Sequence, residues 1–594
     1  MSMNSGSQHP ATIVIVGGVA GGASCAARMR RLHEDAQIIM FERGEHISFA
    51  SCGISYYLSG EIQERRKLLI QTPERFNARF NVDVRIKSEV IAIHRSTRSV
   101  EVLDHKTGQQ YRQHYDKLVL SPGAAPVRPP LPGIDGKRVF FLRSIEDADR
   151  IKAYVQDAYP RSAVVVGGGF IGLEMAEGLR NLGLDVTLVE MAGQVMLQLD
   201  EELAEFVHQH MKLKGMKLLL GRRVEGFGDA PDGRLAVTLQ GGQELICDMA
   251  VCAIGVKPEA ALAREAGLEL GPHGAVIVNR QLQTSDPDIY AIGDVTETHD
   301  LIAGVMRHMP LAGIANKQGR LAADHIAGKQ IAFDGALGTC IVRIFDLVVA
   351  GTGANEKTLR GSNVAHEKSY THPASHAGYF PGAVPMVMKL LFSPGDGRIL
   401  GAQIVGVDGV DKRIDVLATA IYAGLTVHDL PKLELAYAPQ FGSAKDAVNI
   451  AGYVADNVVE GDVELFHADE LPALIDNDTF LLDVRTAGEF DRGHINGAAN
   501  IPIDNLRDRW QEIPTGKLLL VYCLTGIRSY LACRILRQKG FRTRNMSGGY
   551  VIYCAMNPLE CPEIPGLRRW QRLLALETFC STPEERKTLR RTDE

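Results

Sequence analysis

The stretch SAVVVGGGFIGLEMAEGLRNLGLDVTLVEM, residues 162–191, runs from an apolar strand through a glycine-rich turn into a helix, then into a second strand. Gly167, Gly169 and Gly172 fill a G-x-G-x-x-G spacing, and Glu190 closes the second strand. A turn of this kind aims backbone N–H groups at the helix N-terminus toward a pyrophosphate, while the acid holds a ribose. A carboxylate there accepts a bond from a 2′-hydroxyl and repels a 2′-phosphate. No arginine closely follows Glu190, so NADH is favoured over NADPH.

The same design occurs earlier. TIVIVGGVAGGASCAARMRRL (12–32) is strand, turn and helix, and AQIIMFERG (36–44) is a strand ending in Glu42 and Arg43. Here Gly17 and Gly22 frame the turn, Val19 replaces the usual second glycine, and Gly18, Ala20 and Gly21 complete it. Two such turns call for two dinucleotides. TSDPDIYAIGDV (284–295) carries Gly293 and Asp294 after a short apolar strand. It resembles the segment by which two-dinucleotide flavoproteins place an aspartate on the ribityl chain of FAD. LSPGAAP (120–126) and CAIGVKPE (252–259) resemble the crossover segments of those proteins. The resemblance implies FAD at the first turn, NADH at the second, and further cofactor contacts from Val90, Ala124, Gly255 and Ala312.

The bulk numbers narrow the class. A chain of 594 residues suggests three to five domains. A net charge of −6 excludes bulk attraction to nucleic acid or anionic membrane. The first ten residues have no apolar signal core, and no run approaches the roughly 18 apolar residues of a membrane helix. Ten cysteines without a C-x-x-C pair suit a reducing compartment. The expectation is a soluble, cytoplasmic protein, with no nucleic-acid or membrane partner and no metal.

SFASCGISYYLSG (48–60) holds a single cysteine, Cys52, ten residues beyond Glu42. Common flavin disulfide reductases place a partner cysteine four or five residues on; here Tyr56 and Tyr57 stand there. Cys52 must therefore cycle with a sulfur or oxygen from outside its loop. A mixed disulfide with a small thiol, a persulfide and a sulfenic acid all remain open.

Residues 11–455 resemble coenzyme A-disulfide reductases and their single-cysteine relatives. ISFASCGISYYLSG matches their active-site signature, with Ser51 in place of the usual asparagine. The resemblance implies two tyrosines from the partner subunit of a homodimer, Tyr379 in HAGYFPGA and Tyr437 in LELAYAPQFGSAKD. A phenol can donate a proton to a leaving thiolate. For coenzyme A it implies Ser24, Arg28, Arg31, Ser48, Ser51, His308 and Lys445. Arg28 and Arg31 share a helical face, a pattern equally suited to a solvated helix. A further basic position of the family falls on Phe80.

The pattern restarts near residue 456. LLDVRTAGEFDRGHINGAANIPI (481–503) resembles the early signature of rhodanese modules. Cys523 ends a strand and opens the loop CLTGIR before a helix. Loop N–H groups and the helix dipole converge there, which suits a thiolate or persulfide. Arg528 adds a cation for an anionic sulfur donor. Four residues separate Cys523 from Arg528, one fewer than in the similarly built cysteine phosphatases, which favours sulfur over phosphate. A catalytically silent interaction module is the other alternative. Cys533, Cys554, Cys561 and Cys580 lack metal-like spacing and are read as bystanders.

The expected architecture is α/β: two Rossmann-like domains, an α+β dimerisation domain and a C-terminal α/β rhodanese domain. The expected boundaries are 11–149 with 256–332 for FAD, 150–255 for NAD(P)H and 333–455 for dimerisation. A linker at 456–464, a rhodanese domain at 465–560 and a frayed tail at 561–594 follow. The expected activity is FAD-dependent, NADH-driven reduction of persulfides or polysulfides at Cys52, with coenzyme A as bound cofactor or substrate and Cys523 handling sulfane sulfur. The alternatives are a coenzyme A-disulfide reductase, an NADH oxidase or peroxidase using a sulfenic acid, and a non-enzymatic sulfur sensor. The resembling peroxidases carry a histidine in the first turn, and GGVAGG has none.

Overall fold

A computed structural model describes residues 11–561 and 563–566. The chain forms two compact units, Met1–Met191 with Gly221–Gly338, and Ala192–Leu220 with Thr339–Glu594.

The first unit is built on two parallel sheets. One runs in the order Ile289–Ala291, Lys117–Leu120, Thr12–Val16, Gln37–Glu42, Asp83–Ile86. Val14 lies between Ile39 and Leu118 and is fully buried, as expected of a central strand covered on both faces. The strand Ile289–Ala291 arrives only after the second glycine-rich turn has been folded. The first nucleotide fold is therefore discontinuous, as its motif order implied. Its helices Ala20–Leu32 and Ala312–Ile326 touch backbone to backbone, since a Cβ on Gly319 would stand 2.3 Å from the Gly21 carbonyl oxygen. The second sheet is five-stranded, and its strands within this unit are Asp185–Glu190, Ser162–Val166, Met249–Cys252 and Val139–Phe140 in that order, all parallel. The two crossover segments pair with each other, Ala124–Pro126 antiparallel to Val256–Pro258.

The second unit carries a five-stranded antiparallel sheet in the order Cys340–Ile344, Leu347–Gly353, Ile399–Gly406, Val387–Phe392, Glu367–Thr371. A second, parallel sheet orders Leu465–Phe466, Arg542–Met546, Leu518–Tyr522, Thr479–Asp483, Ala499–Asn500.

Residues 192–220 cluster with this unit, where two of their acids meet a buried lysine of the antiparallel sheet. Lys389 is fully buried, and its Nζ lies 2.7 Å from Asp200, 2.6 Å from Glu202 and 2.5 Å from Glu356. Against burial, which raises its carboxyl, Lys389 and Lys368 hold Glu356 down at about 2. Breaking such a buried pair from one side costs about 3–5 kcal/mol.

Two expected boundaries shift. The helix Ala447–Val459 extends into the expected linker and stops before Gly461, whose φ is +74°. The start of the expected frayed tail is packed: Cys561 and Ile564 are buried, and the Ile564 N–H donates to Gln209 at 2.9 Å. Residues 567–594, including Cys580, lie outside the described residues.

Candidate functional site

The two glycine-rich turns have the same shape. Gly17 has φ +98°, and a Cβ there would stand 2.1 Å from the Ser121 carbonyl oxygen. Gly167 has φ +109°, and a Cβ there would stand 2.3 Å from the Ala253 carbonyl oxygen. The third glycines, Gly22 and Gly172, press on the Gly17 and Gly167 carbonyls in the same way. Each acid ties its own loop: Gly18 N–H donates to Glu42 at 2.9 Å and Gly168 N–H to Glu190 at 2.6 Å. The middle position is less constrained. Gly169 has open space where a Cβ would go, and Val19 has a negative φ of −95°, so valine fits the first turn.

The remaining cofactor candidates line the same folds. Ala20 and Ala312 open their helices, and Val90 is buried in the strand Ser88–His94. Ala124 starts the crossover strand, and Gly255 has φ +110°. Arg43 pairs with Glu259 at 2.9 Å, which Arg143 also grips at 2.8 Å. Asp294 is half-buried in the 3-10 turn Gly293–Val295, and burial raises its carboxyl. His308 donates to the Asp294 carbonyl oxygen at 2.7 Å. Gln318 is fully buried; its carbonyl accepts from Gly293 N–H at 2.6 Å, while its Nε2 has no partner among the described residues. The glycine cradles, the loop-tied acids and this orphaned donor fit two dinucleotides.

Cys52 is exposed in the 3-10 turn Ser51–Gly53, which leads directly into the helix Ile54–Leu58. Ser51 is exposed as well, and Ser48 holds a left-handed φ of +43° while its N–H donates to the Gly18 carbonyl. The turn that carries the thiol is thus tied to the first glycine-rich turn. The helix behind Cys52 is anchored by Glu174, which accepts from Ser55 at 2.7 Å and from Tyr56 at 3.2 Å. Burial raises the Glu174 carboxyl. Glu174 lies within the quoted 162–191 stretch, yet spacing alone does not reveal its partners 118 and 119 residues away.

The coenzyme A candidates divide into engaged and open groups. Arg28 pairs with Asp324 at 2.6 Å, and Ser24 donates to Asn316. Arg31 and Lys445 are exposed. Arg30, between them in the arginine run, is buried and donates to the carbonyls of Phe80 and Asn81 at 2.9 and 2.7 Å, so one of the three arginines serves the fold. Another pair that the spacing hides is Arg222 and Arg223: the Arg222 N–H bonds the Glu190 carbonyl at 3.0 Å, bringing both to the end of that strand.

In the second unit, Tyr379 and Tyr437 are exposed and share a hydroxyl hydrogen bond of 2.8 Å. That bond raises the Tyr379 hydroxyl above its ordinary range.

Cys523 follows the strand Leu518–Tyr522 and is 0% exposed. Its Sγ accepts from Gly526 N–H at 3.1 Å and Ser529 Oγ at 3.4 Å. Gly526, at φ +102°, turns the chain into the helix Ile527–Arg537. Arg528 is held by two bonds of 2.7 Å to Glu489 and also faces Cys523. Through the Arg528 bonds the Glu489 carboxyl falls to about 2. Glu489 lies in the quoted rhodanese signature, but its role emerges only from the fold.

Residues 11–319 match the pyridine nucleotide-disulphide oxidoreductase family, 339–448 its dimerisation domain and 467–556 the rhodanese-like domain. Coenzyme A disulfide reductase of Staphylococcus haemolyticus is 34% identical over 444 residues, 75% of this chain and 99% of that protein. The reduced CoADR-RHD of Bacillus anthracis is 49% identical, with TM-score 0.91 over 93% of this chain and 99% of that one. A NAD-dependent persulfide reductase from A. fulgidus is 36% identical, with TM-score 0.85 over 91% of this chain and 100% of that one. The paired nucleotide cradles, the exposed Cys52 thiol and these similarities place the chain in the pyridine nucleotide-disulphide oxidoreductase family, as a FAD- and NAD(P)H-dependent reductase with the family's dimerisation domain and a C-terminal rhodanese-like domain.

Proposed function

We propose that this reductase takes persulfides of small thiols, coenzyme A persulfide foremost, and returns the thiol and hydrosulfide. The observation that carries the reading is Cys52, the one exposed cysteine among the described residues, in a chain that also holds a buried, hydrogen-bonded cysteine loop around Cys523. The similarity to a persulfide reductase along 91% of the chain supports it.

Gly17, Gly22, Glu42 and Asp294 would hold FAD, and Gly167, Gly172 and Glu190 would hold NADH; together the two would supply a two-electron relay. The Cys52 thiolate attacks the thiol-side sulfur of the persulfide. The S–S bond breaks, hydrosulfide leaves, and a Cys52 mixed disulfide forms. Two electrons and a proton then cleave that disulfide, releasing the thiol and restoring the thiolate. Overall, persulfide, NADH and a proton give thiol, hydrogen sulfide and NAD⁺. Tyr379 and Tyr437 of the partner subunit donate to the departing thiolate. Ser24, Arg28, Arg31, Ser48, Ser51, His308 and Lys445 are the residues the family resemblance assigns to coenzyme A, Arg31 and Lys445 being exposed cations suited to a phosphate. Cys523, with Arg528 beside it, accepts sulfane sulfur from polysulfide or another anionic donor and presents it to the small thiol.

The second reading, coenzyme A disulfide reduction, is favoured by the 34% identity to an enzyme of that name. It uses the same Cys52 attack with a thiol, not hydrosulfide, as the first leaving group.

Anaerobic NADH oxidation is measured with coenzyme A persulfide, polysulfide and coenzyme A disulfide, assaying sulfide. Persulfide turnover with stoichiometric sulfide, abolished in Cys52→Ser, is expected. Preference for the disulfide, with Cys523→Ser indifferent on every substrate, would establish the second reading.

A further inference from the structure

The Cys523 loop is gripped from outside its own domain. Its backbone rests on the next turn of the rhodanese fold: Tyr550 N–H donates to the Cys523 carbonyl at 2.8 Å, and Val551 N–H to the Leu524 carbonyl at 3.0 Å. Both donors belong to the helix Gly549–Met556, which starts from the Gly548 turn at φ +74°. The contact leaves no slack, because a Cβ on Gly549 would stand 2.6 Å from the Cys523 carbonyl oxygen.

That turn is in turn held by the antiparallel sheet of the dimerisation domain. Glu367–Thr371 is the sheet's edge strand. The Tyr370 N–H, which an edge strand leaves available, donates to Ser547 Oγ at 3.1 Å. His372, just beyond the strand, donates from Nε2 to the Gly548 carbonyl at 3.1 Å. A Cβ on Gly548 would stand 2.9 Å from the Tyr370 Cβ. Tyr370 cannot drift: it pairs opposite Lys389 in the sheet, and its hydroxyl donates to Glu202 at 2.8 Å. Burial lowers His372 to about 4, so it stays neutral and keeps its Nε2 donor near pH 7.

We propose that Tyr370 and His372 are positioning residues for the sulfur-carrier cysteine: they clamp the Ser547–Gly549 turn, and that turn sets the Cys523–Leu524 backbone. The rhodanese loop then has its transfer-competent shape only when docked on the dimerisation sheet. This rests on the reading of Cys523 as a sulfur carrier for its functional consequence, but not for the clamp.

The test uses the full-length FAD-loaded enzyme and its His372→Ala, His372→Gln and Ser547→Ala variants. Two readouts are taken: thiosulfate-to-cyanide sulfur transfer, and the rate of Cys523 alkylation by iodoacetamide, followed by peptide mass spectrometry. His372→Ala and Ser547→Ala should each slow transfer about ten-fold in kcat with KM for thiosulfate held, and should speed alkylation about ten-fold. NADH-driven turnover of coenzyme A persulfide, supplied directly to Cys52, should not change, and His372→Gln, which keeps a donor, should restore both readouts. Wild-type alkylation and transfer rates in both His372→Ala and Ser547→Ala would overturn the proposal. If the wild type transfers no sulfur, faster alkylation in the variants still supports the clamp, and the sulfur-carrier reading is what fails. Should His372→Ala not fold, Ser547→Ala decides alone.

Discussion

Cys52 stands exposed in a short turn of the first unit, whereas Cys523 is 0% exposed and has hydrogen-bond donors on its sulfur within its own loop. Both lie just ahead of a helix, so local sequence presents them alike. They differ in what finishes the site. The Cys523 sulfur finds both its hydrogen-bond donors in its own loop and the helix that follows it. In the proposed function, the Cys52 environment needs a cofactor, a substrate and a second chain. An open thiol suits a group that must be reached by several reactants in turn; a sealed one suits a carrier that must keep its sulfur from stray exchange.

The strongest way to break this contrast is to ask whether Cys52 depends on another chain. Cys52→Ser should lower NADH-driven persulfide turnover by about 10³-fold or more, as should the Tyr379→Phe/Tyr437→Phe double variant by roughly 10²-fold. Mixing the two inactive proteins under subunit exchange should recover activity in about a quarter of the sites, because random pairing joins an intact Cys52 to intact tyrosines. No recovery would make each site self-contained.

The next test separates the two cradles that serve Cys52. Gly17→Ala places a Cβ 2.1 Å from a carbonyl oxygen, so the purified protein should lose most of its 450 nm flavin absorbance. Gly167→Ala should keep the flavin and raise the KM for NADH by about ten-fold or more. Equal loss of flavin in both would reverse the assignment of cofactors to turns.

The sealed site has a pH signature. Glu489 is held at about 2 by Arg528, below its unfolded value of about 4.3. Its stabilising contribution is therefore complete above that unfolded value and is lost as pH falls toward about 2. Thermal melts of the wild type should show this acid-side loss, and Glu489→Gln should lack that component. The Gln variant should also transfer sulfur a few-fold more slowly at pH 7, because Arg528 loses its anchor.

The smallest effect belongs to the open cations. Arg31→Ala or Lys445→Ala should raise the KM for coenzyme A persulfide two- to five-fold, roughly one exposed ion pair each, and leave turnover of a persulfide lacking phosphate unchanged. Equal effects on both substrates would remove these residues from the coenzyme A subsite.

Much of this was legible before the fold. G-x-G-x-x-G spacing, the strand-end acids and the order of the flavin segment are local, and the described strands and helices follow them. Glu174, Glu489 and Tyr370 were not legible, because their partners lie 39 to 177 residues away in the chain. Nor was the buried ion cluster legible: Asp200 and Glu202 follow a nucleotide strand in sequence but satisfy their charges on Lys389.

The chain alone therefore specified two dinucleotide cradles, the Cys52 turn after the first, and the cysteine loop of a rhodanese-like domain at the end. Each is encoded by neighbours within a few turns, where backbone conformation and spacing dictate shape. The fold settled which arginines are spent on structure, what anchors Arg528, and how the Cys523 loop is clamped. Those outcomes depend on which charges and donors become buried together, and burial is a property of the packed chain rather than of any stretch within it.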